Sequence, residues 1–346
     1  MNSLEKLLAS KNSESNNVKD TIFNNNYDSK NNEKDLSYLD KFLKIITSNH
    51  KIDIIYADVP TASMNIETGN ITLPNYVMND RDIYIMMGSH EVSHVLHTPR
   101  DFYDKHNKSQ SGNIMIGSVE LTPLFFFCIN IVEDIRIEKI IRRKYPGFVE
   151  IYNRASKKIL DGLFEVTEEK WNKLTIADKI NVKAKCTNHL QFELTPYEDG
   201  VLKYMKKADT FNDVLVKAAY LYKLIIDEKQ NENLDFEQMG NMSDSSSKDK
   251  GSGESDVPSQ TDFDKLGESI DESGSLDDVM DKIKENLDFE AESKLSKREL
   301  DELTTNTMDD ATDIIESSPN AEKSVFSIKN TSNIKNSFKN PQQFLK

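Results

Sequence analysis

Residues 79–99 read NDRDIYIMMGSHEVSHVLHTP, and the fold and chemistry are best approached from them. Asn79 can cap a helix that runs from Asp80 to about His97, where Thr98-Pro99 ends it. Inside it, His90-Glu91-Val92-Ser93-His94 is an HExxH motif. On a helix, positions i and i+4 share a face one turn apart, so two imidazoles can converge on one metal ion. Glu91 lies about 100° round from His90, beside the metal rather than on it. There it can act as the catalytic base, taking a proton from water activated by the metal. Ile83, Met86, Met87 and His90 form the inward stripe. The bland alternative, two core histidines and a salt-bridged Glu91, would require a separate buried partner for each ring.

Outward from this helix the pattern mixes strands and helices. Upstream, Leu36–Ser48 is a short amphipathic helix and Ile52–Ala57 a β-rich run. Ala62–Ile66 and Ile71–Leu73 are strands around a hairpin turn at Glu67-Thr68-Gly69-Asn70. Downstream, an apolar helix runs from about Pro123 to Lys144 and stops at Tyr145-Pro146-Gly147. Helical periodicity then continues to about Lys229, broken near Thr167 and Thr195-Pro196. Few strands followed by many helices indicate the α+β class.

A catalytic zinc needs a third protein ligand and one position open to water. Candidates lie in residues 130–138, NIVEDIRIE, where Leu124-Phe125-Phe126-Phe127-Cys128-Ile129 runs into a cluster of charges. Glu133 continues the face of Phe126, Ile129 and Asn130 and is the favoured ligand. Asp134, about 100° away, suits a supporting role, orienting a histidine through its free ring nitrogen. Arg136 and Glu138 either brace the site or begin the exposed face, and Asn130 is a substrate contact or a satisfied core amide. His97 continues the stripe but sits about 10 Å along the helix from His90, too far to share one ion. His106 and His189 stand alone, and Cys128 and Cys186 lack metal spacing and read as buried free thiols.

The chain has 346 residues and a net charge of −15, but the charge is uneven. Residues 231–320 hold 26 acidic and 8 basic side chains with three Phe and no Tyr or Trp. Such a segment buries too little apolar area to offset its ordering entropy and reads as a disordered acidic linker. One island breaks it: Leu276, Met280, Ile283 and Leu287 share a helical face. That face suits a docking helix over 276–303, a transient helix in a solvated linker being the equal alternative. Residues 1–35 read as disordered, 321–346 as a basic flexible tail, and 36–230 as the folded domain. The acidic balance argues against nucleic-acid binding, which needs surplus Lys and Arg. No apolar stretch is long enough to span a membrane and no secretory signal is visible, so a cytoplasmic setting is expected. Two cysteines fit a reducing compartment.

The combination resembles zincin metallopeptidases, and among them the gluzincin pattern of HExxH plus a Glu on a following helix. More closely it is similar to the peptidase half of bacterial and phage proteins related to the T subunit of cobalt chelatase. In those an HExxH helix is followed by an Asn-x-x-Glu-Asp-x-Arg-x-Glu helix and usually a von Willebrand A domain. The matching residues are His90, Glu91 and His94, then Asn130, Glu133, Asp134, Arg136 and Glu138. Arg142-Arg143-Lys144-Tyr145-Pro146-Gly147 is similar to the family's basic helix end, and Thr61–Pro74 to the hairpin edging its cleft. The resemblance covers about residues 50–230. It implies a zincin-like domain, a zinc ion held by His90, His94 and Glu133, and hydrolysis of protein or peptide substrates, in a host's cytoplasm if phage-encoded. It also implies a MoxR-type AAA+ ATPase or a separately encoded von Willebrand A-domain protein as partner. An A domain within the chain is not expected. Asp271-Glu272-Ser273-Gly274-Ser275 matches the A-domain metal motif by letters alone, with no buried strand leading into it and only 71 residues after it. The rival expectation is a non-proteolytic adaptor or virion-assembly protein carrying a relic metal site, its working parts the acidic linker and the 276–287 helix.

Overall fold

The computed structural model describes residues 39–47, 52–59, 62–65, 68–75, 80–99, 102, 115–116, 119–162, 167–186, 189–240, 259–270 and 275–304. The expectations for 1–35, 321–346, His106 and Asn79 fall outside these residues, as does all but Ser275 of the 271–275 stretch.

A helical segment at 39–46 (α1) leads into a three-stranded sheet. Its strands are β1 (Asp53–Ala57), β2 (Ser63–Asn65) and β3 (Asn70–Pro74), in the order β1-β3-β2. β3 is central, parallel to β1 and antiparallel to β2. The β2–β3 reversal is tied by Asn65, whose carbonyl accepts from the Gly69 N–H at 2.8 Å and whose side chain accepts from the Thr68 N–H at 3.1 Å. Gly69 adopts φ 72°, a left-handed conformation that a side chain would disfavour. Alternation along β3 sends Ile71 and Leu73 inward, both fully buried.

Helix α2 (Arg81–His97) carries the HExxH motif and packs its apolar face on the sheet's core. Asp80 is its cap: the carboxylate accepts from the Asp82 and Ile83 N–H groups at 2.9 and 3.1 Å. Gly88 lets α1 approach, since a Cβ there would lie 2.5 Å from Leu43 Cδ1. A two-residue ribbon, β4 (Met115–Ile116) with β5 (Val119–Glu120), precedes α3 (Pro123–Lys144). Thr122 caps α3 by accepting from the Phe125 N–H, Pro123 supplies its first residue, and Arg142, Arg143 and Lys144 suit the negative end of its dipole. α4 (Gly147–Gly162) lays Phe148, Tyr152, Ala155 and Ile159 against α2. Then come α5 (Glu168–Lys173), α6 (Ile176–Cys186), α7 (Pro196–Met205) and the long α8 (Phe211–Gly240).

Two large apolar clusters result, with a small third one around Trp171, Val182 and Leu190. One joins the sheet, α1, α2 and α4. The other joins α3 and α8 through Phe125, Ile129, Val132, Leu215, Ala219 and Tyr222. α3 bridges them, because its Ile141 belongs to the first cluster. α2 and α3 therefore meet where the two clusters adjoin.

The folded region extends past 230. α8 runs on to Gly240, and α9 (Gln260–Ser269), α10 (Leu276–Asn286), α11 (Glu290–Ser293) and α12 (Lys297–Thr304) follow. Val279, Met280 and Ile283 are fully buried in the α3–α8 cluster, together with Leu287 and Leu303. Glu292 reaches the start of α3, accepting from the Leu124 N–H at 3.1 Å. The acidic composition of 231–320 hid this layer, because the average over the segment drowned a stripe of a few apolar residues. The architecture is mainly helical with a small sheet, α+β as expected, and among the described residues no helix is long and apolar enough to cross a membrane.

Candidate metal centre

Two helical pairs face each other where α2 crosses α3. His90 and His94 project from α2, and Asp134 and Glu138 project from α3, each pair spaced i, i+4. The Nε2 atoms of His90 and His94 lie 3.4 and 3.2 Å from the same oxygen, Asp134 Oδ1. These three side chains form a group able to hold a metal ion, their ligand atoms lying within 4.8 Å of one another. A tetrahedral site with bonds of about 2.0–2.1 Å has ligand-to-ligand edges of about 3.3–3.4 Å. The two measured edges fit that figure.

The ring orientations support the same reading. Thr98 Oγ1 donates to Glu133 Oε1 at 2.6 Å, so its 3.0 Å contact with His94 Nδ1 must be one in which the ring N–H donates to Thr98. Glu138 lies 3.2 Å from His90 Nδ1 and pairs with Arg142, so as a carboxylate it accepts from the ring N–H. With both Nδ1 atoms donating, each Nε2 faces Asp134 Oδ1 and either carries a proton that it donates there or offers a lone pair to a cation between them. Three electron-rich atoms at van der Waals contact repel unless a proton or a cation lies between them. This is the arrangement of metal-binding histidines, whose outer nitrogen is fixed by a carboxylate or hydroxyl.

The charges agree. Burial works to raise the Asp134 carboxyl, but Lys185 and His90 outweigh it and hold it well below the usual carboxylate range. Lys185, on α6, donates to Asp134 Oδ2 at 2.9 Å and leaves Oδ1 for the imidazoles. Burial likewise works to lower His90, yet Asp134 and Glu138 draw it up to about 10. The pocket thus favours positive charge between these groups. Glu91 is buried, and desolvation pushes its carboxyl up while the adjacent His90 and His94 pull it back.

Glu133 is not in this group. Only 1 % exposed, it accepts from Arg136 Nε and Nη2, both at 2.7 Å, and from Thr98. Arg136 also donates to the His97 carbonyl at 2.8 Å, tying α3 to the end of α2. The residues expected as ligand and supporting carboxylate therefore exchange places: Asp134 meets the imidazoles directly, and Glu133 steadies His94 through Thr98. The apolar face that Glu133 continues leads into the core, where Arg136 is its partner. The face shared with the imidazoles is the next one round, Asn130, Asp134 and Glu138. Asn130 is half-buried one turn before Asp134, and among the described residues no hydrogen bond ties it to the cluster. His97 stays outside, lowered first by burial and then by Arg136. Cys128 is the buried free thiol expected from its spacing, whereas Cys186 is free but only partly buried. Lys185 and Thr98 were missed by sequence reasoning. Thr98 carried the signal of lying four residues beyond His94, one turn away, whereas Lys185 carried none.

Compared with known proteins, the chain matches no family model, no curated protein and no solved structure.

Proposed function

We propose that this protein is a zinc-dependent endopeptidase with a zincin-like domain, His90, His94 and Asp134 holding the ion and Glu91 acting as general base. The observation that carries the reading is the convergence of two Nε2 atoms on one oxygen of an ionised carboxylate, with Glu91 next to the first histidine. Two imidazoles and one carboxylate suit zinc and leave a position open. Bound there, zinc would polarise the scissile carbonyl and make water acidic enough to be deprotonated at neutral pH. Glu91 takes a proton from the water whose oxygen attacks the carbonyl carbon, and passes it to the amine nitrogen as the C–N bond breaks. Burial, by raising the Glu91 carboxyl, brings it closer to a value at which it can both accept and return a proton. Glu138 and Thr98 hold the rings, and Lys185 holds Asp134. The likeness to the gluzincin pattern then rests on the HExxH helix, with an Asp as third ligand where that pattern has a Glu.

The adaptor reading has less support, because the Leu276–Leu287 face it requires for a partner is covered by the chain's own α8 and β4–β5. Glu91→Gln separates the two. It keeps the side chain's shape but cannot take the proton, so zinc content should be unchanged while cleavage of a denatured-protein pool falls by roughly 10²–10⁴-fold. Equal inactivity of wild type and variant, both with zinc bound, would move the relic site to first place.

A further inference from the structure

Beside the metal group, sharing its Asp134 wall, lies a cavity of about 510 Å³. Its lining is strongly basic for so acidic a chain: Lys139, Arg142, Arg143, Lys185 and Lys206 stand against Asp134 and Glu138. Both carboxylates are already engaged, Asp134 with the imidazoles and Lys185, Glu138 with His90 and Arg142. The cations are less fully matched. Lys139 donates to the carbonyls of Lys206 and Ala208 and pairs with Asp209 at 2.8 Å. Arg143 is mostly exposed and, among the described residues, pairs with Asp209 alone, at 3.9 Å. Lys206 donates to no acceptor among the described residues, and burial pushes its ammonium down against the pull of Asp199, with repulsion from Arg142 and Lys183 adding to the fall. Ile135, Val149 and Ala184 supply apolar wall between the charges.

A concave, mixed apolar and cationic pocket touching a metal ligand is what a side chain with an apolar stem and a carboxylate end requires. We propose that this cavity is the subsite for a carboxylate of the peptide substrate, held by Lys206 and Arg143 beside the bond to be cleaved. The carboxylate is that of an Asp or Glu side chain or of the peptide's own C-terminus. The placing beside the scissile bond rests on the endopeptidase reading above, whereas the preference for a carboxylate rests on the pocket alone. Once Asp209 is counted, two net positive charges remain; about 8 Å from a carboxylate, at a water-like dielectric, they correspond to roughly a fivefold preference over a neutral isostere.

The test is equilibrium binding, read by fluorescence anisotropy, to the full chain in EDTA, with zinc uptake measured separately. The probes are Gly/Ala-based octapeptides with a single Glu, Gln or Lys, each as free acid and as C-terminal amide. EDTA prevents turnover, so the pocket is read without catalysis. Peptides bearing a carboxylate should bind about fivefold more tightly than the amidated Gln peptide, and the amidated Lys peptide most weakly. The preference should vanish in the Arg143→Glu/Lys206→Glu double variant with its zinc content unchanged. If the gain follows Glu in amidated peptides, the side chain is the source. If it follows the free C-terminus, the terminal carboxylate is. Carboxylate and neutral peptides binding within twofold, or a preference surviving in the double variant, would overturn the proposal. If the chain takes up no zinc but still prefers carboxylates, the pocket stands and the endopeptidase reading falls.

Discussion

Changing Glu133 to Gln tests the division of labour between the two neighbouring carboxylates of α3. Glu133 is 1 % exposed and accepts three hydrogen bonds, two from Arg136 and one from Thr98. A Gln keeps one acceptor oxygen but turns an NH₂ toward donors, and it leaves the Arg136 guanidinium buried without a counter-charge. Removing one partner of a buried ion pair costs about 3–5 kcal/mol, a large share of the roughly 5–15 kcal/mol that holds a domain together. For a domain of about 150–250 residues each kcal/mol lowers Tm by about 2–4 °C, so a fall of roughly 6–20 °C is expected. Thermal unfolding of the full chain should be followed by circular dichroism in EDTA, so that no metal contributes to the difference. Zinc affinity, measured below the variant's Tm, should fall no more than about 10–100-fold, the loss expected when support for a ligand weakens. A metal-free Tm within about 2 °C of wild type, combined with complete loss of zinc, would refute this reasoning and restore Glu133 as a ligand.

Thr98→Val keeps the size of a buried side chain while removing the hydroxyl between His94 and Glu133. Zinc affinity, read by competition with a chromophoric chelator, should weaken about 10–100-fold, and an affinity within twofold of wild type would contradict the relay. Ile283→Ala probes the C-terminal layer. Its side chain is fully buried in the cluster that α10 shares with α8 and β4–β5, so urea unfolding of the full chain should show a loss of about 2–5 kcal/mol. A loss below about 0.5 kcal/mol would mean that α10 is not packed there.

What could be read from the sequence followed the strength of the local periodicity. The α2 helix, its HExxH face and its stop at Thr98-Pro99 were legible because apolar spacing and the proline agree, although the cap falls on Asp80, one residue beyond the expected Asn79. The β2–β3 hairpin was legible from Gly69. The ends of α3 at Pro123 and Tyr145-Pro146-Gly147 were legible for the same reason. The third position of the metal group was not. Glu133 and Asp134 are adjacent, and their choice depends on how far α3 is rotated as it crosses α2. That rotation is set by packing against α8, a contact more than 80 residues distant in the chain, which no local pattern encodes. One clue was present: the i, i+4 spacing of Asp134 and Glu138 copies that of His90 and His94, so two crossing helices can match them pairwise. Lys185 lay outside any motif, since it reaches Asp134 only because α6 folds back along α3. The C-terminal layer was half legible, its apolar stripe recognised at Leu276, Met280, Ile283 and Leu287 and its partner surface unknown until α8 was in place.

The most direct measurement is zinc binding by the purified full chain and by its Asp134→Ala variant, as stoichiometry and as affinity. Asp134 is partly exposed, and Lys185, which its loss would leave unpaired, is half-buried, so the variant should fold. The account expects one zinc per chain in the wild type and an affinity at least 100-fold weaker in Asp134→Ala, because an open three-ligand site cannot spare a ligand. A wild type that takes up no zinc, or an Asp134→Ala variant that holds it as tightly, would contradict the account.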